Sequence, residues 1–232
     1  MNVPSGRVYG KLDLKIIRRM AKYGFIRWQE KPFRLHSGIE SHVYVSGRED
    51  LTDHPDLVGL IGKKIALTVK ANSLPKDKQP CLIGIPTAGT TLAQAASTAS
   101  SHGRILVNGQ VICFRTMREV LKGHGAHSDV WVNGEADLSR HTYWTIDNVI
   151  TSGESLFDAE TKFLSDGYPN KGPLLILADR GQGGIERLKQ YKFQRIVTVY
   201  RLIDLVRVFG ELNFWPEKIV KSCEEELSQS GI

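Results

Sequence analysis

The chain has 232 residues, of which 41% are hydrophobic and 24% are charged, as in a globular protein with an ordinary apolar core. No apolar run approaches the roughly 18 residues of a membrane span, and the N-terminal stretch MNVPSGRVYGKLDLK lacks the apolar core of a secretory signal. The formal charge of +6 fits either a solvated basic surface or an anionic ligand. Since no Lys/Arg block has aromatic residues interleaved, a phosphorylated small molecule is favoured over nucleic acid.

The cysteines predict a reducing, cytoplasmic location. Cys81, Cys113 and Cys223 are odd in number and far apart, and no CxxC pair suggests a metal site or a disulfide framework. His124 and His127 are spaced like metal ligands, but no third ligand follows within reach, so we expect no metal centre built by the protein alone.

The N-terminal part reads as a helix, a small β region and a second helix. Apolar residues recur at helical spacing over 12–24, where Gly24 is a plausible C-cap. The stretch 25–50 is turn-rich with short alternating pieces, which indicates a small β region. Residues 54–72 are again helical, and a polar loop follows.

From residue 81 onward, short apolar strands alternate with helical segments. This alternation predicts an α/β fold with a mostly parallel, twisted sheet flanked by helices. The predicted strands are 81–86, 104–114 (interrupted by Asn-Gly), 141–150, 173–179 and 195–202. Ligands of such sheets bind beyond the carboxyl ends of the strands, so the residues after each strand are the candidates for function.

Two of these strand ends carry the groups that bind phosphate. GIPTAGTTLA (84–93) is made of small residues that let backbone N–H groups approach a ligand before a helix starts. TIDNVITSGES (145–155) offers hydroxyls and amides around Gly153 at a helix start, with Asp147 at the expected strand end. Ordinary turns or helix caps would use the same residue types.

The long segment 113–135 and the stretch ADRGQGG add charged candidates. Arg118, Lys122 and His124 lie in a basic, glycine-containing loop of a length typical of lids. Arg180 follows the strand 173–179, where its guanidinium suits a bidentate bond to a carboxylate. Solvated surface charges are the alternative interpretation for both.

Taken together, these segments resemble the type I phosphoribosyltransferases over about residues 12–206, and orotate phosphoribosyltransferases in particular. HSGIESHVYVSGR (36–48) is similar to a hood segment of that family, GIPTAGTTLA to its pyrophosphate loop and REVLKGHG (118–125) to its mobile catalytic loop. TIDNVITSGES resembles the signature that binds phosphoribosyl diphosphate (PRPP), and ADRGQGG resembles the family's Asp-Arg-x-x-Gly-Gly segment. The order of the matches, more than any single motif, makes the resemblance specific.

The resemblance implies a hood and N-terminal helix in 1–53, a phosphoribosyltransferase core in 54–210 and a helical tail in 211–232. It implies a homodimer that binds PRPP and a pyrimidine base, with Mg²⁺ held mainly by PRPP, and no nucleic acid or membrane partner. The implied catalytic residues are Arg118, Lys122, His124 and Asp147, the first three closing over the diphosphate. The implied substrate-binding residues are Thr151, Ser152, Gly153, Glu154 and Ser155 for the 5′-phosphate, Asn148 beside the ribose, Ala88 and Gly89 in the pyrophosphate loop, Arg180 for the orotate carboxylate, and Val43, Tyr44 and His36 on the base side.

Some positions depart from the family pattern. His36, Ala88 and Glu119 replace lysines, and Asn148 replaces the second acid of the PRPP signature. Three interpretations therefore stay open: a divergent, working orotate phosphoribosyltransferase, a phosphoribosyltransferase for another base, and a non-catalytic regulator that binds PRPP or a nucleotide.

Overall fold

The computed structural model describes residues 1–35, 38–47, 51, 53–120, 130–132, 136–167 and 172–229. In chain order, its elements are α1 (Lys11–Tyr23), β1 (Ile26–Arg34), β2 (Glu40–Val45), α2 (Pro55–Asn72), β3 (Gln79–Gly84), α3 (Ala88–His102), β4 (Cys113–Thr116), β5 (His141–Ile150), α4 (Glu154–Ser165), β6 (Leu174–Asp179), α5 (Gly184–Gln190), β7 (Ile196–Arg201), α6 (Leu202–Glu211) and α7 (Glu217–Gln229). Within these ranges no helix combines the length and the apolarity needed to cross a bilayer.

Helix α1 starts and ends close to where its sequence predicts. The carboxylate of Asp13 accepts a hydrogen bond from the Gly10 N–H at 3.0 Å and so caps the first turn. Gly24 then takes the left-handed conformation, with φ at 69°, which ends the helix. Glycine reaches this conformation without the steric cost of a Cβ.

Strands β3 to β7 form one sheet in the spatial order β4-β3-β5-β6-β7. Every neighbouring pair in it is parallel, which confirms the predicted fold class. The chain places β4 on one side of β3 and then returns to place β5 on the other side. The strand order therefore reverses between β3 and β5, and ligands of open α/β sheets bind at such a reversal, outside the carboxyl ends of the strands.

Hydrophobic clusters cover both faces of the sheet. Leu175 and Leu177 of β6 belong to a cluster that also contains residues of α1, α2, α3, α6 and α7. Leu174 and Ile176 of the same strand point to the opposite face, where they join residues of α4 and α5. Burial on both faces explains why β6 reads as a continuous apolar run rather than an alternating one.

Strands β1 and β2 form a separate antiparallel hairpin, in the part of the chain for which the resemblance predicts a hood. Trp28 pairs with Val43, whereas Phe33 pairs with Ser41, so β1 carries additional residues between these two pairs. An irregularity of this kind bends a strand and redirects its side chains.

Candidate active site

A cavity of about 740 Å³ lies where the strand order reverses. Its walls come from the hairpin, the loop after β3, the end of β5 with the loop that follows, and the residue after β6. The lining residues are Arg27, Arg34, Leu35, Tyr44, Val45, Ser46, Gly47, Ile85, Pro86, Thr87, Ala88, residues 147–155 and Arg180.

Asp147 reaches this cavity from inside β5, not from the end of the strand as the sequence suggests. The last residues paired between β3 and β5 are Gly84 and Ile146, while β5 continues beside β6 as far as Ile150. Asp147 is thus the first residue of β5 beyond the end of β3. Its Oδ1 accepts a hydrogen bond from the Asn148 N–H at 2.8 Å, and the residue is buried.

The loop after β5 presents backbone N–H groups to the cavity. Gly153 has φ at 83° and immediately precedes α4. Because a glycine occupies the N-cap position, no side chain there takes up the first N–H groups of the helix. The hydroxyls of Thr151, Ser152 and Ser155 lie beside them in the lining of the cavity. A helix N-terminus of this kind attracts anions, and phosphate groups above all.

Helix α5 packs behind this loop and fixes its position. A Cβ added to Gly184 would lie 2.4 Å from the carbonyl oxygen of Thr151, so only glycine permits this approach. Nη1 of Arg187 donates a hydrogen bond to the carbonyl oxygen of Ser152 at 3.3 Å. Contacts within the chain therefore hold residues 151–155, called the cradle below, in position before any ligand binds.

The loop after β3 is drawn against β5 by similarly close contacts. The N–H of Ile85 donates a hydrogen bond to the carbonyl oxygen of Ile146 at 2.9 Å. A Cβ added to Gly84 would lie 2.3 Å from the backbone of Gly89. Ala88 lines the cavity as a result, whereas Gly89 is buried behind it and supports the loop from within.

Arg180 is a buried cation at the base of the cavity, with 3% of its surface exposed. Nε donates a hydrogen bond to Gln182 Oε1 at 3.2 Å. Nη2 donates to Ser41 Oγ and to the Val43 carbonyl oxygen, each at 2.9 Å. Burial lowers the pKa of the guanidinium to about 10, so it remains charged at neutral pH. Among the described residues none accepts a hydrogen bond from Nη1.

The other predicted residues occupy different positions. Val43 is fully buried and offers its carbonyl oxygen to Arg180, while its neighbour Tyr44 is exposed to the cavity. Arg118 lies in an adjoining cavity of about 450 Å³ that shares Pro86 and Thr87 with the first. Its Nε is buried and has no hydrogen-bond partner within the described ranges. His36, Lys122 and His124 lie outside the described residues.

Asn148, which replaces an acid of the family pattern, packs against the hairpin. A Cβ added to Gly47 would lie 2.3 Å from its Nδ2. Any residue larger than glycine at position 47 would therefore displace the Asn148 side chain from the cavity wall.

The sequence alone did not single out Arg27 and Arg34, which bring two further cations to the cavity from β1. Neither belongs to a motif of the resemblance, and both lie on a strand whose register shifts between its ends. The only signal in the sequence was the density of basic residues before His36, which by itself does not distinguish a site from a solvated strand.

The chain is similar in sequence or in structure to three known proteins. The chain is 25% identical over 191 residues to an orotate phosphoribosyltransferase of Pyrobaculum aerophilum. This match covers 82% of this chain and 88% of that protein. The orotate phosphoribosyltransferase structure from Aeropyrum pernix matches with a TM-score of 0.61 and 23% identity, over 84% of this chain and 98% of that one. UMP synthase of Leishmania donovani matches with a TM-score of 0.75 and 20% identity. That match covers 95% of this chain, which spans 43% of the Leishmania protein. No protein-family model matches the chain.

The parallel sheet with its flanking helices and separate hairpin is the type I phosphoribosyltransferase fold. Within that fold, the chain resembles orotate phosphoribosyltransferases, which are pentosyltransferases, in both sequence and structure.

Proposed function

We propose that the protein transfers the phosphoribosyl group of PRPP to orotate, with release of diphosphate. One observation carries the proposal: a single cavity at the strand reversal joins an anion-binding helix N-terminus, the carboxylate of Asp147 and the buried cation of Arg180. These groups match the phosphate, the ribose hydroxyls and the carboxylate of the two substrates.

The 5′-phosphate of PRPP would bind to residues 151–155, where N–H groups, hydroxyls and the positive end of α4 complement its charge. Asp147 would accept hydrogen bonds from the ribose hydroxyls. A carboxylate at this position is well suited to the role because it is buried beside the cradle, and hydrogen bonds to ionised groups are the stronger ones. The amide of Asn148 adds a second, uncharged partner for a hydroxyl.

The base would lie between the hairpin and Arg180. The guanidinium suits a carboxylate because it carries the opposite charge and because no described residue accepts a hydrogen bond from its Nη1. Tyr44 offers an aromatic surface for the ring of the base. A ring nitrogen of the base attacks C1 of the ribose while the bond from C1 to the diphosphate oxygen breaks. The electron pair of that bond leaves with the diphosphate, and the proton of the ring nitrogen passes to solvent.

Negative charge grows on the diphosphate as this bond breaks, so cations placed there stabilise the transition state more than the ground state. Arg118 lies next to the cavity, and the resemblance assigns Lys122 and His124 to the same group. Closure of their loop would also exclude water, which otherwise hydrolyses the sugar cation.

The oxygen-rich lining fits a magnesium complex of PRPP. Mg²⁺ prefers oxygen ligands and usually retains water and substrate phosphates rather than a cage of protein ligands. Asp147, beside the ribose hydroxyls, is the residue that would help PRPP to hold it. When bound, the ion supplies positive charge to the diphosphate leaving group. We also propose that the protein acts in a reducing, cytoplasmic compartment, as its cysteines predict, and forms a homodimer, as the resemblance implies.

A panel of bases tests the proposal. With PRPP and Mg²⁺, orotate should release diphosphate, whereas uracil, the same ring without the carboxylate, should react about a hundredfold more slowly or not at all. Arg180→Ala should raise KM for orotate about ten- to a hundredfold and leave KM for PRPP nearly unchanged. Tight binding of PRPP by calorimetry without diphosphate release from any base would overturn the proposal and favour a regulator.

A further inference from the structure

Helix α7, near the C-terminal end of the chain, reaches back to the hairpin through one carboxylate. Glu226 Oε2 accepts hydrogen bonds from the backbone N–H of His42 at 3.0 Å and from the His42 ring nitrogen Nδ1 at 2.9 Å. Its Oε1 contacts Ser41 Oγ at 2.5 Å. The side chain of Glu226 is 20% exposed, so much of this network lies away from water.

The hydroxyl of Ser41 links Glu226 to Arg180. Ser41 Oγ lies 2.5 Å from the Glu226 carboxylate and 2.9 Å from the Val43 carbonyl oxygen, but a hydroxyl has one proton to donate. The shorter contact, to a charged acceptor, takes that proton. The oxygen of Ser41 remains free to accept the hydrogen bond from Arg180 Nη2 at 2.9 Å. Arg180 therefore donates a hydrogen bond to Ser41, and Ser41 donates one to Glu226.

This chain of hydrogen bonds also balances charge. Arg180 is almost completely buried, and a buried cation without a nearby anion is costly. The charge of Glu226 favours the charged form of the guanidinium. Since Nε and Nη2 are both engaged, the plane of the guanidinium is fixed.

We propose that Glu226 is a positioning residue for the base: through Ser41 it orients Arg180 for a carboxylate and holds β2 against the cavity. This proposal rests on the proposed function of the cavity and deepens it. It extends the base site to α7, which lies beyond the segments that the resemblance covers.

The variant Glu226→Gln tests it, because Ser41 and His42 contact different oxygens of Glu226 and glutamine replaces one of these oxygens with an NH₂ donor. Glutamine keeps the shape of the side chain but removes its charge. KM for orotate should rise about tenfold, while KM for PRPP and the rate with saturating substrates change little. Glu226→Asp, which retains the charge, should recover part of the affinity. Equal changes in both KM values, or none, would overturn the proposal.

Glu224→Gln is the matched control on the same helix. Glu224 is 16% exposed and forms a bidentate pair with Arg207, with both N–O distances at 2.6 Å. It carries the same charge and comparable burial, but its partner is on α6 instead of the hairpin. This variant should show the wild-type KM for orotate, although loss of the contact with α6 can lower its thermal stability.

Hydrogen exchange separates this proposal from the proposed function. If no base reacts with the wild-type protein, the enzymatic function fails, but the network can still be tested without activity. Amides of 40–45 should then exchange faster in Glu226→Gln than in Glu224→Gln, at matched global stability. Equal protection of the β2 amides in the two variants would show that Glu226 does not hold β2 in place.

Discussion

Gly89, in the first turn of α3, stands so close to Ile146 of β5 that an added Cβ would lie 2.4 Å from the Ile146 carbonyl oxygen. This contact places the N-terminal end of α3, with Ala88, at the edge of the cavity. The position of the loop between β3 and α3 therefore depends on the absence of one side chain.

Gly89→Ala should destabilise the protein by about 1–3 kcal/mol, because the methyl group forces α3 away from the sheet. If the loop contacts the diphosphate, as the resemblance implies, KM for PRPP should rise more than KM for orotate. Urea unfolding and steady-state kinetics measure the two effects.

Gly59→Ala provides the control. Gly59 lies within α2, and nothing is within 4 Å of a Cβ built there. Alanine should stabilise the helix by about 0.5–1 kcal/mol and leave KM for PRPP unchanged. A Gly89→Ala variant as stable as the wild type, with its KM intact, would contradict the role of this contact.

Arg34 offers a cation to the cavity from the end of β1. Its side chain makes no hydrogen bond or ion pair with any described residue, and it is exposed. Removing it should therefore leave folding unchanged. Arg34→Ala should raise KM for at least one of the two anionic substrates about three- to tenfold at low salt, with a smaller effect at about 1 M salt.

Lys31→Ala is the corresponding control, because Lys31 is exposed on the same strand but does not line the cavity. The two variants lose the same charge. If both change KM equally, the effect is due to the overall field of the protein and not to a contact in the cavity.

Local patterns predicted most of the core. The alternation of apolar strands and helices from residue 81 onward predicts the parallel sheet, and Gly24 predicts the end of α1, because both depend on neighbours in sequence. The rule that ligands bind beyond strand ends then directs attention to 147–155 and to Arg180, which the structure brings together. These features follow from local chemistry and one topological rule.

Contacts between residues that are distant in sequence determine the features of the site that local patterns did not predict. The contact of Glu226 with Ser41 and His42 spans most of the chain, and no periodicity relates residues so far apart. The contribution of Arg34 depends on the register shift in β1. Pro32 lies in that stretch and indicates an irregular strand, but a proline alone does not predict how many residues are inserted. Asp147 lies within β5 but beyond the end of β3, because β5 continues beside β6 after its pairing with β3 has ended. The relative lengths of paired strands cannot be predicted from the sequence of either strand alone.

Lys122 lies outside the described residues, so its role rests on the resemblance to the family's catalytic loop. Lys122→Ala should lower turnover at least about tenfold and leave the affinity for PRPP measured by calorimetry largely intact, because the contact forms as the diphosphate leaves. Lys70→Ala, an exposed lysine in the last turn of α2, should have normal turnover. Unchanged turnover in Lys122→Ala would exclude the loop from the mechanism.

Asp179, the last residue of β6, should make stability depend on pH. Burial raises the pKa of its carboxyl above the ordinary value, although the Gly181 N–H and the charge of Arg201 oppose the shift. The folded state therefore binds this proton more tightly than the unfolded chain does. The resulting stabilisation is complete below about pH 3.9, the ordinary pKa of Asp, and is lost as the pH rises through the higher pKa of the folded state.

Asp179→Asn removes this titration and retains an oxygen for the hydrogen bond from the Gly181 N–H, which lies 2.8 Å from Oδ1. Relative to the wild type, the variant should gain free energy of unfolding as the pH rises above about 3.9, as measured by urea titration at several pH values. Asp158→Asn, at an exposed carboxyl of α4, serves as the control and should show no comparable gain. A difference between Asp179→Asn and the wild type that stays constant with pH, or that declines as the pH rises, would show that burial does not govern this carboxyl.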